Sequence, residues 1–139
     1  MGAVFVTVRL SNATDIENSE RGLIEKSEVR TCEVEALVDT GSTLSIIPPD
    51  LAKTLGLRIH RRATGVLADG NRVSCGVSMG VWFEIYGRET TQDAYIMGDM
   101  GDAVVIGQTV LESTDLLVDC VHQQVIPNPA HPDGPELRV

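Results

Sequence analysis

The stretch Ala36-Leu37-Val38-Asp39-Thr40-Gly41-Ser42-Thr43-Leu44-Ser45-Ile46-Ile47-Pro48 decides how the chain is read. An apolar run leads into an aspartate, a Thr-Gly-Ser turn follows, and a second apolar run leaves it. A carboxylate set between two buried runs is costly unless it is hydrogen-bonded or shares a proton. Gly41 lets the backbone turn closely around Asp39, and the hydroxyls of Thr40 and Ser42 are able to donate to it. The bland reading of the same residues is a strand end followed by an ordinary turn. The rest of the chain decides between the two.

On the N-terminal side, Val29 to Val38 reads as a strand that alternates at first and becomes continuously apolar as it reaches Asp39. On the C-terminal side, Leu44 to Ile47 reads as a short strand. Pro48-Pro49-Asp50 then opens a helix whose apolar face is Leu51, Ala52 and Leu55 and whose stop is Gly56. Val66 to Cys75 reads as a hairpin turning at Asp69-Gly70. Its residues beside the turn are small or polar, so the tip is not expected in the core. Val77 to Tyr86 continues as strand with Val81, Phe83 and Ile85 on one face. Trp82, on the other, reads as packing. Thr91 to Met97 returns as strand, and Asp99 to Asp102 forms a loop. Ala103 to Gly107 reads as a buried strand and Gln108 to Thr114 as a short helix. Leu116 to Val121 and Gln124 to Pro127 read as a closing hairpin.

Outside these elements, Val4 to Leu10 reads as a first strand, and Ser11 to Gly22 as a polar loop whose turns are made by Asn12, Asp15 and Asn18. The 139 residues suit a single domain over 1–127, with 128–139 as a flexible Pro-rich tail. Hydrophobic residues make up 42% of the chain and aromatics only 4%, so the core is expected to be aliphatic and the fold mostly β.

The net charge of −9, from 20 acidic and 11 basic residues, leaves no broad basic face for nucleic acid. The one basic cluster is Arg58-Ile59-His60-Arg61-Arg62. Cys32, Cys75 and Cys120 are odd in number and lack close metal-type spacing. Free thiols in a reducing compartment are the natural reading, with a zinc site using them and His60 or His122 as the alternative. Met1 to Val6 lacks the features of a secretory signal, and Val6 stands where myristoylation needs Ser or Thr. No apolar run has membrane-spanning length. The expectation is a cytoplasmic protein with no membrane partner, no metal and no cofactor.

Taken in order, the Asp-Thr-Gly-Ser loop, the Pro-led helix ending Leu55-Gly56-Leu57, the Asp69-Gly70 hairpin and Val104-Val105-Ile106-Gly107 before a helix resemble a single-lobed, retroviral-type aspartic protease. The likeness is to the cellular and bacterial branch of that clan, extends over roughly residues 29–127, and includes the late Val118-Asp119 and Ile126-Pro127. The resemblance implies an all-β, closed barrel-like lobe with one or two short helices, acting as a homodimer on peptide or protein substrates. Each lobe gives one catalytic aspartate, here Asp39, and no second Asp-Thr-Gly occurs in the chain. By the same resemblance, Thr40 ties the two loops together, Gly41 lets the backbone approach substrate, and Ser42 bonds a catalytic carboxylate. Ile106 and Gly107 pack beneath the loop, while Ala68, Asp69, Gly70 and Asn71 form a flap over the bound peptide.

The chain departs from the retroviral enzymes at Ser42-Thr43-Leu44, where they carry Ala and two acidic residues, and at Gln108-Thr109, where they carry Arg-Asn. The segment 1–28 has no counterpart role in the family. Besides the protease, two other readings stand: a catalytically idle dimerisation or peptide-binding module on the same fold, and a plain β-scaffold with an incidental turn.

Overall fold

The structure, a computed structural model, describes residues 2–98 and 101–139. Period-two alternation builds its first wall. In β1 (Phe5–Asn12), Val6, Val8 and Leu10 point inward and are buried, while Phe5, Thr7 and Arg9 face out. β2 (Thr31–Val38) pairs antiparallel with β1, from Phe5 opposite Leu37 to Ser11 opposite Thr31. The two-residue β7 (Val105–Ile106) lies parallel to the far end of β2. β3 (Ser45–Ile47) follows, antiparallel to β7 and parallel to β6 (Arg88–Ile96).

The long β5 (Arg72–Ile85) pairs with β6 and also with β1, where Leu10 stands opposite Phe83. That last pairing closes a ring, β1-β2-β7-β3-β6-β5, with β4 (Arg61–Val66) outside it on β5. β8 (Leu116–Asp119) and β9 (Gln124–Pro127) form a separate two-stranded sheet. The fold is thus the expected mostly β lobe, as a ring interrupted by very short strands rather than a clean barrel.

The core inside the ring is aliphatic, with Val8, Leu10, Ile47, Leu55, Ile85, Ile106 and Val110 fully buried around Phe83. Each such side chain contributes about 1.5–3 kcal/mol on leaving water. A smaller cluster of Ile46, Cys75, Met97 and Val105 takes in Ala63, Leu67 and Val73 from the β4–β5 hairpin. It joins that hairpin to the strands that flank Asp39. Helix α2 (Pro49–Thr54) begins at its proline as expected, and α3 (Gln108–Ser113) follows Gly107.

The structure corrects several boundaries. Ser11 to Gly22 is not a loop: β1 runs through Asn12, and Ala13–Glu20 is a helix, α1. Asn12 is its N-cap, accepting from the Asp15 N–H at 3.0 Å, and Asp15 is buried against Arg30. The Arg30 Nε and Nη2 donate to the two Asp15 oxygens at 2.8 and 2.9 Å, and its backbone N–H donates at 3.0 Å. These hydrogen bonds hold the Asp15 carboxyl below its ordinary pKa.

β6 starts at Arg88 instead of Thr91, and Tyr86 belongs to the preceding turn, with φ +52°. Only Val105–Ile106 of the stretch 103–107 pairs as strand. Within the expected loop 99–102, Asp99 and Met100 lie outside the described residues.

The segment read as a flexible tail is tied down as far as Glu136. Asp115, at φ +53°, accepts from Asn128 Nδ2, from the His131 ring and from the Glu136 N–H. The buried Arg88 reaches the carbonyls of Asp115 and His131 from below.

Candidate active site

β2 delivers Asp39. Its last residues are fixed on both sides: the Val38 N–H donates to Val4 O at 2.8 Å, and the Leu37 N–H to Val104 O at 2.9 Å. The Asp39 N–H donates to Ile106 O at 3.0 Å. The chain then turns, and the Gly41 N–H donates to Asp39 Oδ1 at 2.9 Å. This aspartate turn leaves Thr40 and Gly41 exposed and Asp39 half-buried at the edge of the fold.

The floor beneath the loop comes from α3. The first N–H groups of any helix lack partners within the helix. Here the loop supplies them: the Gln108 N–H donates to Ser42 O at 2.7 Å, and the Thr109 N–H to Thr43 O at 3.1 Å. The Thr109 hydroxyl adds a second bond to Thr43 O at 3.0 Å. The Gly107 N–H donates to the fully buried Ser45 hydroxyl at 3.0 Å. A Cβ on Gly107 would stand 2.5 Å from Leu44 O and 2.8 Å from Ser42 O, both backbone atoms. Ile106 and Gly107 are therefore pressed directly against the loop.

One expected contact is absent. The Ser42 hydroxyl donates to Leu44 O at 2.6 Å, so its single proton stiffens the turn and does not reach the carboxylate. The partner of Asp39 Oδ1 is a backbone N–H instead. The polar residue of this floor that the sequence did not single out is Ser45, although it interrupts an otherwise apolar run; Thr109 stood out only as a departure from the retroviral enzymes.

Ala68, Asp69, Gly70 and Asn71 come together at the tip of the β4–β5 hairpin, and all four are exposed. The tip is a three-residue turn closed by the Gly70 N–H to Leu67 O at 2.9 Å and the Leu67 N–H to Asn71 O at 2.8 Å. Gly70, at φ +85°, supplies the left-handed residue that such a turn needs. Among the described residues no hydrogen bond joins the tip to the Asp39 loop.

A half-buried carboxylate held by a backbone N–H at a strand end, over a helix start, is an arrangement suited to acid-base chemistry on a ligand lying across the loop. Residues 26–113 match the family model described as "gag-polyprotein putative aspartyl protease". The chain belongs to that family. Its ring also matches the crystal structure of the retroviral protease-like domain of Ddi1 from Leishmania major, at 18% identity and a TM-score of 0.55. That match covers 99% of this chain and 97% of the other, and it shows a shared retropepsin-like fold. No curated protein matches the chain in sequence. Asp39 to Ser42, the hairpin tip and Ile106-Gly107 all fall within the residues that the family model spans.

Proposed function

We propose that the protein is an aspartic endopeptidase that works as a twofold homodimer, with one Asp39 from each chain. The carrying observation is the Asp39-Thr40-Gly41-Ser42 loop, held from below by α3 and occurring once in a chain of the aspartyl protease family. One carboxylate per chain requires a second from a symmetry mate.

Two carboxylates about 3 Å apart do not both ionise easily, so the pair shares a proton. The ionised member takes a proton from a water that attacks the peptide carbonyl, and the protonated member donates to the developing oxyanion. The N–H of Gly41 would orient each carboxylate, and Thr40, which is exposed, would meet its twin. The hairpin tip at Asp69 and Gly70 would close over an extended peptide and pair with its backbone. The free cysteines fit a cytoplasmic setting.

Replacing Asp39 with Asn tests the reading. Cleavage of a peptide library should fall by about a thousandfold or more, because the dyad loses its base, while sedimentation still reports a dimer. A statine-type peptide should bind wild type and not the variant. Hydrolysis unchanged in the variant would rule out the dyad. A wild-type dimer that binds peptide yet cleaves none between mildly acidic and neutral pH would make it an idle binding module.

A further inference from the structure

The basic cluster that the active site leaves unused contributes to a second place on the molecule. A cavity of about 230 Å³ opens where the β4–β5 hairpin joins the ring, lined by Asn12, Arg30, Arg58, His60, Ser78 and Met79 among others. It lies at the opposite end of β2 from Asp39, about 30 Å away along the strand at the usual rise per residue. A bulge in β5 between Ser78 and Val81 makes the recess, with Gly80 at φ +74°.

Several of its lining side chains offer donors, although the Asn12 Nδ2 is spent on Leu55 O and Gly56 O. Ser78 is 1% exposed, lines the cavity, and its hydroxyl has no hydrogen-bond partner among the described residues. An orphaned buried hydroxyl is destabilising until a ligand or water pairs with it. Arg30 binds Asp15 through Nε and Nη2 and leaves Nη1 over Gly56, where a Cβ would displace it. Arg58 pairs with no carboxylate among the described residues. The Met79 N–H donates to His60 Nδ1 at 3.2 Å, so the ring carries its proton on Nε2 as another donor. In a chain of net charge −9, no described Asp or Glu lines this cavity. Leu57 and Met79 add apolar wall, and the volume exceeds that of an oxyanion alone.

We propose that this cavity binds the oxyanion of a small organic molecule, a phosphate monoester or a carboxylate, through Arg58, the Ser78 hydroxyl and the unpaired edge of Arg30. The site is independent of Asp39 and stands whether or not the chain cleaves peptides.

The test is an amide chemical-shift titration of the full chain in chloride buffer at fixed ionic strength. The probes are inorganic phosphate, phenyl phosphate and benzoate. Saturable shifts are expected at Gly56, Arg58, Met79 and Gly80, with phenyl phosphate tighter than inorganic phosphate because of the apolar wall. Saturation by benzoate alone assigns the carboxylate, and saturation by the phosphates alone assigns the phosphate. Ser78→Ala should weaken binding about tenfold, the worth of one hydrogen bond to a charged group, without lowering the thermal midpoint. Arg58→Gln should weaken it at least as much, and Arg138→Gln, in the tail, should leave it unchanged. Shifts linear in concentration for all three probes, or wild-type affinity in Ser78→Ala, would overturn the proposal.

Discussion

The loop at Asp39 and the hairpin tip at Asp69 share one local device. In each, the aspartate Oδ1 accepts the backbone N–H two residues on, at 2.9 Å. Their surroundings differ. The Asp39 loop gives the carbonyls of Ser42 and Thr43 to the start of α3 and rests on Gly107. Among the described residues the Asp69 tip hydrogen-bonds only within itself, and a Cβ on Gly70 would meet none of them within 4 Å. The aspartate turn alone therefore does not make a site. One copy is bolted to a helix and a sheet, the other has no hydrogen bond beyond its own turn among the described residues, and the proposed protease would use both, a fixed carboxylate and a hairpin that closes over it.

The sharpest way to break this contrast is at Gly107. Its φ of −93° suits any residue, so the backbone does not require glycine there. The space does, because a Cβ would press on backbone carbonyls that belong to the Asp39 loop. Gly107→Ala should cost about 3 kcal/mol, the upper end for overpacking a site that cannot yield, read by urea denaturation. It should also misplace Asp39, so hydrolysis falls with stability. A variant as stable as wild type would mean the loop can retreat, and the distinction between a fixed floor and a free cover would fail.

What could be read from residues alone follows the same division. The floor was legible because its signals are local: apolar runs around Asp-Thr-Gly, a Pro-led helix, and Ile106-Gly107 before another helix. The hairpin was legible from Asp69-Gly70. What escaped is held by contacts distant in sequence. Helix α1 has one large apolar residue, Ile16, so no periodicity marks it; Asn12 and the Asp15–Arg30 pair hold it instead. The anchoring of residues 128–136 depends on Asp115 and Arg88, and no local pattern announces either. The Ser42 hydroxyl was expected on a catalytic carboxylate by resemblance, but the turn gives its proton to Leu44 O.

Asp115 sharpens the contrast from the other end of α3. It follows the helix C-cap, Thr114, so the helix under Asp39 is secured at both ends. Hydrogen bonds from Asn128 and His131 hold the Asp115 carboxyl down to a pKa of about 2, from an ordinary 3.8. A folded pKa below the unfolded one contributes stability that is complete above about 3.8 and is lost as pH falls toward 2. Asp115→Asn keeps a residue that tolerates positive φ and removes the charge together with one of the two acceptor oxygens. Wild type should melt above the variant at pH 6, by less than the Gly107→Ala loss, and the gap should close between about pH 4 and pH 2. A gap independent of pH would mean that the ionised carboxylate is not what anchors the tail.

Gly70→Ala is the smallest expected effect and the most diagnostic of the free cover. At φ +85° an alanine is strained by about 1 kcal/mol, but nothing around it must shift. Among the described residues the tip hydrogen-bonds only to itself, so local opening can relieve part of that strain without unfolding the ring. Global stability should therefore fall by about 1 kcal/mol or less, while hydrogen exchange speeds up at Leu67 and Gly70 and stays slow at Gln108 and Thr109. If Gly70→Ala instead cost as much as Gly107→Ala, the tip would have to be packed in solution against something outside its own chain. The twin chain of the proposed dimer would be the first candidate, and sedimentation of the variant at falling concentration would show it as a weakened dimer.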